Sequence, residues 1–273
     1  MPEMPEIETL ARQLRRILVG KRIAQIRLSG LPLRKPVPRN LALTLRGRTI
    51  HRILRRGKYL VVEFEPGIFL LIHLGMSGRL FYHPLAGIEA EHTQAVFVFS
   101  DSTELEYRDH RRFGLLALYE GIGVDWIPEV LSLGKDPLSR AFRGEWLWEL
   151  LQKSRTEIKS FLLDQRKVAG LGNIYVCESL FAAGIDPKRR CFTLTMDDSL
   201  RLAEGIRNVV KSAVRHRGTS FSDFMDSNGN LGKNQDFLMV FQKEDVKCVR
   251  CGENIRRIRQ ANRSTFYCPH CQK

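Results

Sequence analysis

Residues 58–74 read KYLVVEFEPGIFLLIHL. Two short runs rich in β-branched, aromatic and aliphatic residues, 59–64 and 68–74, flank the pair Pro66-Gly67. Runs of this length and composition on either side of a turn pair predict two β-strands. The same texture continues outward through "TQAVFVFS" at 93–100 and "TELEYR" at 103–108, so residues 22–118 are expected to form a β-sandwich. Ahead of it, Ile7, Leu10, Leu14, Ile17 and Leu18 recur at the helical period over residues 6–19. Glu6 and Glu8 lie in the first turn, where the helix dipole favours acids, and Gly20 supplies a stop. This helix is expected to pack against the sandwich.

Beyond the linker-like "LSLGKDPLS" at 131–139 the pattern turns helical, with helices expected over 140–153, 155–165, 172–183 and 195–216. A polar, glycine-containing segment (218–235) and a short apolar run, "FLMVF", lead into the C-terminus. The fold class is therefore α+β and multidomain: an N-terminal region 1–130, a linker 131–137, a helical region 138–242 and a terminal module 243–273. There is no internal repeat and no low-complexity tract.

The terminal module carries "CVRC" at 248–251 and "CPHC" at 268–271, a Cys-x2-Cys-x16-Cys-x2-Cys pattern. Two such pairs can close a tetrahedron of thiolates around one zinc ion. Cys248, Cys251, Cys268 and Cys271 leave no position for water or substrate, so the expected zinc is structural, supplying folding energy to a module too small for a core of its own. Cys177 and Cys191 stand apart from it, and the distribution suggests a metal site in a reducing compartment, not a disulfide framework.

Lysine and arginine number 44 against 30 acids, a formal charge of +14. Such an excess attracts polyanions, nucleic acid foremost. No run of about 18 apolar residues and no signal-peptide pattern occurs, which argues against a membrane partner and for a cytoplasmic, nucleoid-associated protein. Arg256, Arg257, Arg259 and Arg263, between the cysteine pairs, read as a phosphate-facing hairpin.

Several short motifs then coincide in order: "PEMPE" at 2–6, "RRGKYL" at 55–60, "HLGMSG" at 73–78, "RDHRRFG" at 108–114, "GLGNIY" at 170–175 and "RSTFYCPHCQ" at 263–272. Together they resemble the formamidopyrimidine-DNA glycosylase family, bifunctional glycosylase and AP lyase enzymes that repair oxidised purines. The resemblance implies a β-sandwich, a helical domain with a helix–two-turn–helix motif over 156–184, and a zinc finger. Three departures are small: Met4 where leucine is common, Cys177 beside Glu178 where an acid or small residue is common, and Arg155 in place of a lysine.

The resemblance also assigns roles. Removal of Met1 would leave Pro2 with a free secondary amine, whose attack on a sugar C1′ gives a cationic iminium. Glu3 is implied as the general acid. Glu6 either positions Pro2, stabilises the developing charge, or serves only the helix dipole. Lys58 is implied in β-elimination and phosphate binding, and Arg263 in δ-elimination and phosphate binding. Met76, Arg111 and Phe113 match the residues that fill the void behind an extruded base, with Arg111 facing the orphaned cytosine. His73, His92, Arg155 and Asn173 match DNA-backbone contacts. The expected partner is double-stranded DNA holding an oxidised or abasic lesion, met by a monomer. An endonuclease VIII-like enzyme for oxidised pyrimidines is the main rival, but Met4 and "RRFG" place the chain on the purine side. A non-catalytic zinc-ribbon DNA-binding protein is a second rival, opposed by the intact "PE" terminus, Lys58 and Arg263.

Overall fold

A computed structural model of the protein describes residues 2–85, 87, 90–121, 123–221 and 224–273, which gather into two compact units. The first comprises residues up to Leu131 together with His216–Gln235. It opens with helix α1 (Met4–Leu18), whose face of Met4, Ile7, Leu10, Ala11, Leu14 and Leu18 is fully buried. The helix begins two residues earlier than the apolar period suggests. Glu3 and Glu6 close a capping box at its start, and Pro5 is tolerated in a first turn whose N–H groups lack helical partners.

After β1 (Ile23–Leu28) and the short α2 (Leu41–Leu45) come β2 (Arg52–Arg56), β3 (Tyr59–Glu65), β4 (Ile68–His73), β5 (Arg79–His83), β6 (Thr93–Phe99), β7 (Glu104–Arg108) and β8 (Leu115–Glu120). All pairings are antiparallel and build two four-stranded sheets, ordered β1-β6-β7-β5 and β2-β3-β4-β8. The opening hairpin explains its own composition. Along β3, Leu60, Val62 and Phe64 enter the core shared with α1, while Val61 faces a second cluster with Phe69, Leu71, Val124 and Ile127. Both faces of this sheet are covered, so its strands read as continuous apolar runs instead of alternating ones. Helix α3 (Pro128–Leu131) closes the second cluster through Val130.

The segment 216–235 belongs to this unit through specific ties. Tyr82 N–H donates to Ser227 O (2.8 Å), and Gln13 Nε2 donates to Asp226 Oδ2 (2.9 Å).

The second unit comprises Ser132–Arg215 and Asp236–Lys273. It holds α4 (Gly144–Gln152), α5 (Ile158–Leu163), α6 (Asn173–Ala183), α7 (Met196–Arg215) and the hairpin β9 (Arg256–Gln260) and β10 (Arg263–Tyr267). The linker-like stretch is ordered against this unit: Gly134 N–H donates to Gln165 O (2.8 Å) and Lys135 bridges Val168. Helix α6 is buried on nearly every side, and Glu178 within it accepts the N–H groups of Met239, Val240 and Phe241 (2.8–2.9 Å). That carboxylate orders the run 237–241, whose irregular backbone would otherwise be buried without partners. Among the described residues no helix is long and apolar enough to cross a membrane.

Candidate active site and metal centre

In the first unit, Pro2 is buried and Glu3, at the N-cap of α1, is 3% exposed. Both oxygens of the Glu6 carboxylate accept backbone N–H groups: Oε2 from Glu3 (2.8 Å) and Oε1 from Thr219 (2.7 Å). Gly218 makes the second bond possible. Its φ is +80°, and a Cβ there would stand 2.8 Å from Glu6 Oε1. Glu6 thus clamps the peptide next to Pro2 onto the 216–235 segment.

Lys58 sits in the two-residue turn between β2 and β3, where Gly57 takes the positive φ of +55° that such a turn requires. The hairpin tip is fastened to α1: Arg55 donates to Glu8 Oε2 (2.8 Å) and to Gly57 O (3.2 Å). Only 8% exposed, Lys58 is held in place rather than left as a free surface lysine. Across β3 and β4, His73 pairs with Tyr59, their rings 5.0 Å apart. Burial, aided by the charges of Lys58 and Arg34, pushes its pKa down to about 4. The ring is neutral at pH 7; Nδ1 accepts the Gly75 N–H (3.0 Å), which leaves Nε2–H as a donor.

Met76 (39% exposed) and Phe113 (47% exposed) stand on two adjoining loops, 74–78 and 109–114. The Arg111 guanidinium lies 4.8 Å over the Phe113 ring. The three residues of the expected void-filling set are therefore brought together. His92, exposed and at φ +67°, is seated beside them, its carbonyl accepting the Asp109 N–H (3.1 Å).

In the second unit, Asn173 opens α6 behind the N-cap Gly172, and its Nδ2 donates to Ser264 O (2.9 Å). Lys159, fully buried on α5, donates through Nζ to the same carbonyl (3.0 Å) and to Thr265 Oγ1. Burial lowers its pKa. These bonds fasten the tip of the β9–β10 hairpin, where Ala261 and Asn262 form a two-residue turn at positive φ and Arg263 is exposed. A cleft of about 400 Å³ there is lined by Asn173, Phe241, Gln242, Arg257, Arg263 and Ser264. Arg155 is exposed in the α4–α5 connection. Sequence reasoning missed Lys159, which reads as an ordinary helical lysine; its burial depends on β10, about a hundred residues away.

The four Sγ atoms of Cys248, Cys251, Cys268 and Cys271 lie within 4.8 Å of one another. Backbone N–H groups of Arg250 and Cys271 point at Cys248 Sγ (3.5 Å) and Cys268 Sγ (3.4 Å), the outer-shell bonds that stabilise coordinating thiolates. The donor set fits one zinc ion held by four sulfurs in a closed structural site.

Three family models match the chain: the formamidopyrimidine-DNA glycosylase N-terminal domain over residues 1–116, its H2TH domain over 133–225, and the zinc finger found in FPG and IleRS over 247–273. The chain belongs to the formamidopyrimidine-DNA glycosylase family. It is 42% identical to the formamidopyrimidine-DNA glycosylase of Gluconobacter oxydans and 40% identical to that of Dinoroseobacter shibae, in both cases over the whole of each chain. Among solved structures it resembles MutM in complex with DNA containing carbocyclic 8-oxo-G (TM-score 0.90, 35% identity, all of both chains covered). It is equally similar to a Lactococcus lactis FPG mutant bound to Fapy-dG DNA (TM-score 0.89, 35% identity, all of both chains). The formamidopyrimidine-DNA glycosylase fold thus accounts for the sandwich, the helix–two-turn–helix tract and the finger together.

Proposed function

We propose that the protein is a base-excision-repair enzyme that removes oxidised purines, 8-oxoguanine and formamidopyrimidines, from duplex DNA and then cleaves the strand as an AP lyase. The observation that carries this reading is the arrangement at the start of α1: a proline next to a buried Glu3, with the intervening backbone clamped by Glu6.

The chemistry follows from an amine at Pro2 once Met1 is removed. An α-amino group titrates near 7.7–8.0 and lysine near 10.4, so at pH 7 roughly a tenth of the former and under a thousandth of the latter is unprotonated. Proline's secondary amine is somewhat more basic than that average, and the true advantage is smaller. Attack on C1′ expels the damaged base, with Glu3 supplying the proton needed at the sugar. The resulting iminium draws electrons from the C2′–H bond, so that loss of this proton expels the 3′ phosphate, and a second elimination releases the 5′ phosphate. By the family resemblance Lys58, in its anchored turn, assists β-elimination and binds phosphate, and Arg263, on the finger tip, assists δ-elimination and binds phosphate. The neutral ring of His73, together with His92, Arg155 and Asn173, supplies contacts to the DNA backbone. Extruding the nucleotide costs a few kcal/mol; Met76 and Phe113 fill the gap while Arg111 takes the orphaned cytosine. Bound zinc shapes the finger and takes no part in a step. On this reading the enzyme acts on DNA as a monomer in the cytoplasm, at the nucleoid.

Borohydride trapping on abasic duplex DNA, followed by mass analysis of the adduct, tests the assignment. The expected product is a reduced covalent bond between the sugar and the amine of Pro2. Equal trapping by a protein whose terminal amine has been acetylated would overturn it.

A further inference from the structure

Met76 and Phe113 are partly exposed, and the group over the Phe113 ring is the exposed side chain of Arg111, so core packing does not define where they stand. Their placement depends on the backbone beneath. That backbone is two loops in unusually close approach: a Cβ at Gly75 would lie 2.5 Å from Phe113 C, and one at Gly114 would lie 1.6 Å from the Tyr107 hydroxyl.

Beneath them lies Asp109, fully buried. Its Oδ1 accepts the Ser77 hydroxyl (2.5 Å), and its Oδ2 accepts the Gly114 N–H (2.8 Å) and the Tyr107 hydroxyl (3.3 Å). Ser77 Oγ in turn accepts the Arg111 N–H (3.2 Å). The main chain of Asp109 is fixed as well, its N–H donating to His92 O (3.1 Å) and its carbonyl accepting Gln94 Nε2 (3.2 Å). One carboxylate and one hydroxyl therefore join the Met76 loop to the Arg111–Phe113 loop by directional bonds.

We infer that Asp109, acting through Ser77, is the positioning residue that sets Met76, Arg111 and Phe113 as a single wedge for displacing the damaged nucleotide. Asp109 and Ser77 touch no substrate; they hold the groups that do. The inference rests on the void-filling reading of those three residues given above.

The test uses the full-length, zinc-loaded protein. Ser77→Ala removes the hydroxyl that joins the loops while leaving the carboxylate its other partners, and Asp109→Asn exchanges an acceptor for a donor at constant shape. Met76→Ala runs alongside. Each variant is assayed in single turnover on 8-oxoguanine paired with cytosine in duplex DNA, and on a preformed abasic site in a single strand, where no base has to be displaced. Loss of one buried hydrogen bond amounts to a factor of about 5–30. Ser77→Ala and Asp109→Asn should slow excision from the duplex by about that factor while changing single-strand cleavage by less than about twofold. Equal losses on both substrates would mean general damage to the fold and would overturn the inference. So would a loss in Met76→Ala with none in Ser77→Ala or Asp109→Asn, since the wedge would then need no tie. If Met76→Ala itself excised normally from the duplex, the void-filling reading would fail, and the inference with it.

Discussion

Glu6→Gln separates a clamp from a chemical group. The glutamate offers one oxygen to the Glu3 N–H and the other to the Thr219 N–H. Glutamine has a single carbonyl oxygen, so its NH2 must face one of those two N–H donors. A hydrogen bond to a charged group contributes about 1.5–3 kcal/mol and a neutral one about 1. Losing one and weakening the other costs about 2–4 kcal/mol. For a protein of this size about 1 kcal/mol moves Tm by roughly 2–4 °C, so the transition of the N-terminal unit should fall by about 5–15 °C. Borohydride trapping at an abasic site should slow alongside it, because the peptide that carries Pro2 loses its anchor. Gly218→Ala should act on the same clamp, pushing a methyl toward Glu6 Oε1, and the two substitutions together should cost less than their sum. A wild-type melting curve with trapping abolished would refute the reasoning, since Glu6 would then act on the reacting atoms. Strict additivity with Gly218→Ala would refute the shared clamp.

The remaining expectations concern charge, metal and base reading. The folded pKa of His73, about 4, lies below the ordinary 6.5, so its contribution to stability is complete above pH 6.5 and is lost as pH falls toward 4, by at most about 3 kcal/mol. Melting across pH 4–7 should show a flatter acid limb in His73→Gln, and an unchanged slope would show that the ring is not held neutral. Cys251→Ser, or zinc removal by a chelator, should abolish DNA binding in a gel-shift assay while circular dichroism retains the β-sandwich signal; full cleavage by verified zinc-free protein contradicts this. Arg111→Ala should weaken the preference for cytosine opposite 8-oxoguanine by roughly 5- to 150-fold, the worth of a base contact of about 1–3 kcal/mol, with single-turnover excision against all four opposite bases as the measurement. An equal loss against all four would make Arg111 a phosphate contact.

What the sequence disclosed follows the range of the forces involved. The hairpin around Pro66-Gly67, the amphipathic face of α1 and the paired cysteines are local patterns, and each stands where the residues indicate. In the sequence Glu6 fits three roles equally, because its second partner, Thr219, lies 213 residues away. Lys159 and Glu178 are silent in the sequence for the same reason: a buried lysine and a carboxylate holding three N–H groups have no periodic signature. Placement of residues 216–235 with the N-terminal unit depends on ties to Gln13, Glu6 and Tyr82 that composition does not encode. The roles of Met76 and Phe113 came from the family resemblance; the structure adds that both are exposed on adjoining loops, where core residues would be covered.

The close approach at Gly75 and Gly114 also has an evolutionary side. Neither position admits a side chain, and the carboxylate below them is fully enclosed, so substitutions there disturb the mounting itself. Met76 and Phe113 are partly exposed outside the core, and their size, stiffness and polarity can change with less disturbance to the loops. For the wedge inferred above, selection can therefore retune what is tolerated in the base stack one exposed side chain at a time, while the position of insertion is inherited unchanged. Diversity among descendants of this chain should collect at the tips, with their supports kept constant.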